Sequence, residues 1–305
     1  MQAQGFIRFR LDGQVVDAAD LPTFNKQDKH DLDVVVDRLK VRHDDQAAAL
    51  RQRLAESFET ALRLTDGRTA REIAAERGLL IDMHCDESDD PLSRHVEMLA
   101  YHTHRLGLQG RVSASHVTSM RTMDNYYFSK LSALVREAGI NVIANPLTNS
   151  KGDGDSEHYP KYRGVTRIKE LKRRSINVAF GHDCCLDPWY PLGTYDMLEV
   201  AHMGIHEAQM NSVAEMEGAV DSITYAGAKS MCLDGYGLEP GNYADMVVLA
   251  AADRIEAVRL RADRLHVIRR GKVIARTKPA DITVSLDGRE SKVNFLRADH
   301  DHSKH

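Results

Sequence analysis

The chain has 305 residues, of which 42% are hydrophobic and 28% charged, and its formal net charge at pH 7 is -4. This composition is typical of a soluble globular protein, and the small negative charge excludes the basic surface expected for binding to nucleic acid or an anionic membrane. The apolar runs are too short for a transmembrane helix, and residues 1–10 lack the apolar core of a signal peptide. We therefore expect a cytoplasmic protein with neither nucleic acid nor a membrane as its partner.

The cysteine content also limits the class of protein. Four cysteines are too few for a disulfide scaffold in a chain of this length. None of them forms a Cys-x-x-Cys pair, so the sequence does not favour a zinc finger. We expect four reduced thiols.

The first segment, residues 1–68, is predicted to contain strands followed by one helix. Residues 6–11 alternate apolar and charged side chains, and an Asp12-Gly13 turn leads into a second apolar run, which together predict a β-hairpin. Residues 32–41 form a further β-rich run. Residues 44–66 have a capping aspartate pair and helical apolar spacing, and Gly67 ends the predicted helix.

From residue 69 the pattern changes to an alternation of strands and helices, which is typical of βαβ units. The predicted strands are residues 78–83, 111–115, 140–144 and 176–180. One helix is predicted from Asp90-Pro91 to Gly107, and a second passes through Leu131, Leu134 and Val135 and ends at Gly139. Further helices are predicted over 165–174, 193–210 and 214–233, and a polar loop over 150–159. The pattern predicts α/β units over 69–235, short strands within 236–285 (243–249, 264–269 and 272–275), and a disordered polar tail over 286–305.

Each predicted barrel strand is followed by polar or ionisable side chains. In chain order they include His84 and Glu87, His116, Asn145, and Asp183. Because the carboxyl ends of barrel strands meet at one mouth, we expect these side chains to lie close together. Imidazole and carboxylate groups are the ligands of hydrolytic metal centres, and a further carboxylate can move protons.

The strand ends also carry a specific resemblance. The matching runs are IDMHCDE (81–87), SASH (113–116), ANPL (144–147), FGHD (180–183) and DPWYPLG (187–193). In order and without large gaps over about residues 70–283, these runs resemble the C-terminal part of bacterial cytosine deaminase, a family of the amidohydrolase superfamily. The resemblance implies a TIM-type (β/α) barrel and metal-dependent hydrolytic deamination of cytosine or a related amino-pyrimidine.

The resemblance also implies a role for each matching residue. His84 and Asp183 would bind one divalent metal, iron or zinc, and Asp183 would also take a proton from the attacking water. Glu87 would carry protons to the ring nitrogen and the leaving amine, and His116 would orient the water. The substrate-binding residues would be Asn145, Cys184 and Trp189.

The sequence departs from the family pattern in two ways. Cys184 stands where the family usually has a second aspartate, and a thiol is a weaker hydrogen-bonding group. The His-x-His metal ligands of the family's first strand do not precede His84, and His102 and His104 fall in a predicted helix where they face different sides. We therefore expect a truncated barrel, its C-terminal half, with a small β-sandwich remnant and doubtful metal occupancy.

A different resemblance covers the N-terminal segment. The matching runs are GFIR (5–8), DGQV (12–15), KHDLDVVVDRL (29–39) and LAESFETAL (54–62). Over residues 5–67 they resemble an internal stretch of the damage-recognition ATPase subunit of bacterial nucleotide excision repair. The resemblance implies a region that contacts the repair helicase subunit, without the nucleotide-binding loops or zinc-binding cysteines of that family.

Three interpretations of the whole chain follow. The first is a metal-dependent deaminase, impaired by the missing ligand pair. The second is a binding module that contacts a repair protein through residues 5–67. The third is an inactive truncated fusion, since a half-barrel leaves two sheet edges exposed, which a homo-oligomer would cover.

Overall fold

The computed structural model describes residues 8–11, 14–17, 20, 32–34, 74–152, 164–289 and 291–292. The chain divides into two compact units, residues 1–73 and residues 74–305. Across the described ranges, no helix is both long and apolar enough to cross a membrane. The finer domain boundaries at residues 68, 235 and 285 stay predictions.

The first unit contains a small antiparallel sheet with the strand order β2-β1-β3. Its strands are Arg8–Leu11 (β1), Gln14–Asp17 (β2) and Leu32–Val34 (β3). The Arg8 guanidinium donates to Asp17 Oδ1 at 2.9 Å across the hairpin, where the two residues pair in register. The predicted hairpin is confirmed, and the strand predicted over 32–41 is confirmed at 32–34. The rest of that run and the predicted helix over 44–66 lie outside the described residues.

The second unit is built on a parallel sheet with the order β4-β5-β6-β7. Its strands are Ile81–Cys85 (β4), Val112–His116 (β5), Asn141–Ala144 (β6) and Val178–Phe180 (β7). In β4, Ile81 and Met83 pack against the core, whereas Asp82 and His84 are exposed, as the alternation of side chains along a strand requires. The parallel βαβ arrangement predicted from the sequence is confirmed.

Helices join these strands and cover one face of the sheet. They are His95–Arg105 (α1), Asn125–Glu137 (α2), Pro146–Gly152 (α3), Ile168–Arg173 (α4), Met197–Glu207 (α5), Val213–Ser222 (α6) and Tyr225–Ser230 (α7), with a 3₁₀ turn at Thr118–Arg121. Their apolar faces bury side chains such as Leu99, Phe128 and Leu171. A Cβ at Gly204 of α5 would lie 2.5 Å from the Phe180 ring, so glycine allows this helix to approach β7.

The second unit ends in an antiparallel sheet with the order β10-β9-β8. Its elements are Met246–Leu249 (β8), the helix Arg254–Leu260 (α8), Arg264–Arg269 (β9) and Lys272–Arg276 (β10). The three strands agree with the sequence prediction, but α8 was not predicted. The Asp253 carboxylate caps this helix by accepting the Glu256 N–H. The buried Glu256 carboxylate accepts two hydrogen bonds from the Arg259 guanidinium, at 2.6 and 2.7 Å.

Several predicted boundaries differ from the structure. The helix predicted to start at Asp90-Pro91 begins at His95, because the Asp86 carboxylate accepts the backbone N–H groups of His95 and Val96 at 2.8 Å. The helix predicted over 214–233 is interrupted between α6 and α7, where Thr224 leaves the helical conformation. The loop predicted from residue 150 begins inside α3.

Candidate functional site

Polar side chains lie at the carboxyl end of each parallel strand. His84 is the second-last residue of β4, and His116 is the final residue of β5. Asn145 directly follows β6, and Asp183 lies three residues after β7. The strands run in the same direction and pair in sequence order. Their ends therefore deliver these side chains to one edge of the sheet.

Three of these side chains form a compact cluster. His84, His116 and Asp183 each bring one potential metal-ligand atom to within 4.8 Å of the others. His116 Nε2 lies 3.0 Å from His84 Nδ1. His116 is buried, Asp183 is half-buried and His84 is exposed, so the cluster is anchored in the protein on one side and open to solvent on the other.

The chemistry of this cluster fits a divalent metal ion. Two imidazoles and a carboxylate are ligands that suit both zinc and iron. The solvent-exposed side of the cluster leaves room for water or a substrate, as a catalytic metal site requires. The donor set does not distinguish the two metals.

The backbone is strained where these side chains leave the strands. His116, Asp183 and Asp86 have positive φ angles of 71°, 62° and 55°. A non-glycine residue in this region costs on the order of 1–3 kcal/mol, and such strain concentrates at functional sites. The Val117 N–H donates to the Cys85 carbonyl at 3.1 Å, which helps to hold the turn after β5.

Glu87 lies beside the cluster without being part of it. Its Oε1 atom is 3.2 Å from His116 Nδ1 and 3.2 Å from the Asn149 side-chain nitrogen. Burial raises the pKa of Glu87, and the nearby charge of Asp183 raises it further, whereas His84 and the bond from Asn149 lower it. Glu87 is therefore a carboxyl group that keeps its proton to a higher pH than usual.

Two asparagines after β6 surround the buried histidine. Asn145 Nδ2 lies 3.3 Å from His116 Nδ1, and Asn149 Nδ2 lies 3.0 Å from the same atom. The sequence prediction included Asn145 but missed Asn149. The available signal was their spacing, because residues four apart at the start of a helix share one face.

Two glycines leave space for these asparagines. A Cβ at Gly181 would lie 2.3 Å from Asn145 Oδ1, and a Cβ at Gly164 would lie 2.0 Å from the Asn149 carbonyl oxygen. Both distances are well below van der Waals contact. The Asn145 side chain and the Asn149 backbone therefore each depend on a glycine that lies further along the chain.

The loop after Asp183 carries the other predicted substrate-binding residues. Burial, together with a hydrogen bond to Asp187, raises the pKa of the Cys184 thiol to about 12, so this side chain remains a thiol. The Trp189 side chain is 62% exposed, and its backbone N–H donates to Asp187 Oδ1 at 2.9 Å. His182 is buried, and its Nδ1 lies 2.9 Å from the Cys184 carbonyl oxygen.

The structure thus brings together most of the predicted site. His84, Glu87, His116, Asn145 and Asp183 converge at one edge of the parallel sheet. Cys184 lies next to Asp183 in the chain, while Trp189 lies on the exposed part of the following loop. The chemical roles assigned to all of these residues stay predictions.

Comparison with known proteins gives this geometry a context. A profile described as "Amidohydrolase family" matches residues 11–275. The structure of 5-methylcytosine deaminase from Klebsiella pneumoniae liganded with 5-fluorocytosine is 40% identical, with a TM-score of 0.67, and the match covers 69% of this chain and 51% of that one. N-isopropylammelide isopropylaminohydrolase from Burkholderia multivorans is 27% identical, with a TM-score of 0.59, over 67% of this chain and 49% of that one.

Curated relatives cover two different parts of the chain. Pterin deaminase from Rhizobium rhizogenes is 31% identical over 209 residues, which are 68% of this chain and 47% of that protein. UvrABC system protein A from Pseudomonas aeruginosa is 58% identical over 67 residues, which are 22% of this chain and 7% of that protein. The chain spans about half the length of the deaminase relatives, and both resemblances inferred from the sequence are confirmed.

Proposed function

The chain belongs to the amidohydrolase family, and we propose that it catalyses the metal-dependent hydrolytic deamination of cytosine or a related amino-pyrimidine. The observation that carries this proposal is the convergence of His84, His116, Asp183 and Glu87 at one edge of the parallel sheet. The similar structure that holds 5-fluorocytosine supports a pyrimidine as the substrate.

Each side chain has a part in the proposed reaction. A divalent metal, iron or zinc, held by His84 and Asp183 would supply a water molecule of lowered pKa. Asp183 accepts a proton from the attacking water, and Glu87 passes protons to the ring nitrogen and then to the departing amine. His116 orients the attacking oxygen, so that water replaces the amine at C4 of the ring and ammonia leaves.

The residues proposed to contact the substrate and the metal determine how active this chain would be. The proposed pyrimidine contacts are Asn145, Cys184 and Trp189. Cys184 is the weakest of them, because a thiol is a poor hydrogen-bond donor and acceptor. Catalytic metal sites usually have three protein ligands. Of the three side chains in the cluster, His116 is assigned to the attacking water, which leaves His84 and Asp183 as two ligands. We therefore infer weak metal binding and impaired activity.

Metal content and turnover measured together test the proposal. The full chain, loaded with iron(II) or zinc(II), is expected to bind about one metal per chain and to convert cytosine or 5-methylcytosine with release of ammonia. Asp183→Ala is expected to lose both properties, because it removes a ligand and the proton acceptor. Asp281→Ala, at an exposed aspartate far along the chain, is the matched control. A folded sample with neither metal nor turnover would contradict the proposal.

We also propose that two copies of the chain complete a barrel. Within the described sheet, β4 and β7 each pair with one neighbour only, and open parallel edges favour pairing. A second copy turned about the barrel axis would place its β7 against β4, and its β4 against β7. Light scattering should then give about twice the chain mass of 34.2 kDa, with slow amide exchange in β4 and β7. A folded monomer with fast exchange in both strands would exclude this assembly.

A second candidate function concerns the N-terminal unit. The identity of 58% with part of UvrABC system protein A favours a module that binds another protein of that repair system. This module and an inactive fusion are the interpretations that remain if the metal and turnover measurements are both negative.

A further inference from the structure

Two histidines lie one helical turn apart on α5, outside the cluster at the strand ends. His202 and His206 are four residues apart, and side chains at this spacing are neighbours on one face of an α-helix. Their ring centroids are 4.5 Å apart, and the ring planes differ by 37°. The two rings therefore lie side by side, close enough for one small ion to contact both.

The histidine pair lies on the side of α5 that faces away from the core. The residues that α5 buries are Leu198, Val200, Ala201 and Gly204. His202 is half-buried and His206 is exposed, as expected for residues on the opposite side of an amphipathic helix. One ring is therefore held against the protein, while the other is open to solvent.

A hydrogen bond to the helix backbone orients the His206 ring. Its Nδ1 atom lies 2.7 Å from the His202 carbonyl oxygen, and a carbonyl oxygen can only accept a hydrogen bond. The ring is thus tied to α5 through Nδ1, so a metal ion would bind through Nε2. Histidines that bind metals usually donate their other ring N–H to a carbonyl or carboxylate oxygen, which fixes the orientation of the ring.

The charged groups around the pair are balanced in sign. Glu199 lies three residues before His202, on the same face of the helix, and its negative charge acts on the His202 ring. The positive charge of Arg261, at the end of α8, acts on the same ring in the opposite direction. A dication bound to two neutral imidazoles therefore meets no excess of positive charge from these two groups.

We propose that His202 and His206 form a metal site of their own, which binds one late transition-metal dication, such as zinc(II), through both imidazole rings. Two histidines four residues apart on one helix face bind zinc in metalloprotease helices, and imidazole suits zinc, copper and nickel. Water completes the coordination in this site. The bound ion links two successive turns of α5, and the site does not depend on the proposed deaminase activity.

Zinc titration of the full chain, followed by the NMR signals of the histidine rings, tests this site. The pH should lie well above the usual imidazole pKa of about 6.5, because metal ions bind neutral imidazole. Zinc should shift the signals of His202 and His206 together, with one shared affinity that differs from that of the cluster. The spectra of His202→Gln and His206→Gln assign the two signals.

Each of these variants should also weaken zinc binding at the remaining ring. We expect a loss of affinity of at least about tenfold, because even groups that only support a metal ligand contribute about 10- to 100-fold. His104→Gln, at an exposed histidine on α1, is the matched control and should leave both signals and their affinity unchanged. Glutamine is a good helix former, so all three variants should keep the circular dichroism of the wild type.

Two results would overturn the inference. One is a titration of the wild type in which zinc shifts only the rings of the cluster, or only those of residues 300–305. The other is a His202→Gln variant in which the His206 ring binds zinc as it does in the wild type. The first result needs no variant, so the test stands even if a substitution disturbs the fold.

The helix site and the cluster can be told apart in the same preparation. The helix site lies on an open surface, so it should fill only with free zinc present and lose its ion on dialysis. The one metal per chain expected at the cluster is therefore that of a dialysed sample. His202→Gln should leave this metal content and the turnover unchanged. A chain without turnover would contradict the proposed function, whereas the zinc-induced shifts would still confirm or overturn the helix site.

Discussion

Replacement of Glu87 by glutamine is expected to lower turnover by about 100- to 10,000-fold, the usual contribution of a positioned acid or base. Glutamine keeps the size of the side chain and an oxygen that can accept the bond from Asn149, but it cannot carry a proton. Because Glu87 lies outside the His84, His116 and Asp183 cluster, the metal content should not change. Steady-state rates and metal analysis of the same sample make the comparison.

The same substitution should alter how the stability of the folded chain depends on pH. Burial, followed by the charge of Asp183, raises the pKa of Glu87, so the folded chain holds this proton more tightly than the unfolded chain. The associated stability is present below the usual glutamate pKa and is lost as the pH rises through the raised value. Glu87→Gln should lack this loss. The effect should be small, because the side chain is 43% exposed.

Two results would contradict the role of Glu87. One is a Glu87→Gln variant that keeps most of its turnover with the metal bound. The other is an equal loss in Glu217→Gln, the matched control at an exposed position on α6. In the wild type, turnover that needs the protonated carboxyl should persist above the ordinary glutamate range and fall as the pH passes the raised pKa.

Removal of the Asp86 side chain should cause a large loss in the stability of the folded chain. Its carboxylate is fully buried, and it accepts the backbone N–H groups of His95 and Val96 at 2.8 Å and the Ser93 hydroxyl at 3.0 Å. Asp86→Ala leaves these donors without a partner at the start of α1. We expect a loss of about 2–4 kcal/mol in the free energy of unfolding, measured by urea denaturation.

The position of Asp86 connects this loss to the site. Asp86 directly precedes Glu87, and its own carbonyl accepts the Ser119 N–H at 3.1 Å. Asp86→Asn, which keeps one acceptor oxygen, should lose less stability than Asp86→Ala. Asp234→Ala, at an exposed aspartate, should change stability by no more than about 0.5 kcal/mol. Equal stability of Asp86→Ala and the wild type would show that α1 does not depend on this cap.

The strand ends could be predicted because their signal is local. His84, His116 and Asp183 each follow a short apolar run, and parallel strands are known to present such positions at one edge. The cap of α1 could not be predicted in this way. Asp90-Pro91 has the local features of a helix start, but Asp86 competes for that function from the end of β4, nine residues before His95.

The sequence by itself determined the family, the order of the strands and the kinds of side chain at their ends, because apolar runs and residue types are properties of short segments. Only the tertiary structure decided which side chains meet. Asn149 contacts Glu87 across 62 positions of sequence, and Asn145 contacts His116 across 29. Such contacts arise because parallel strands, joined by helices, bring distant segments to one edge, and the orientation of a buried amide then depends on the acceptors it meets there.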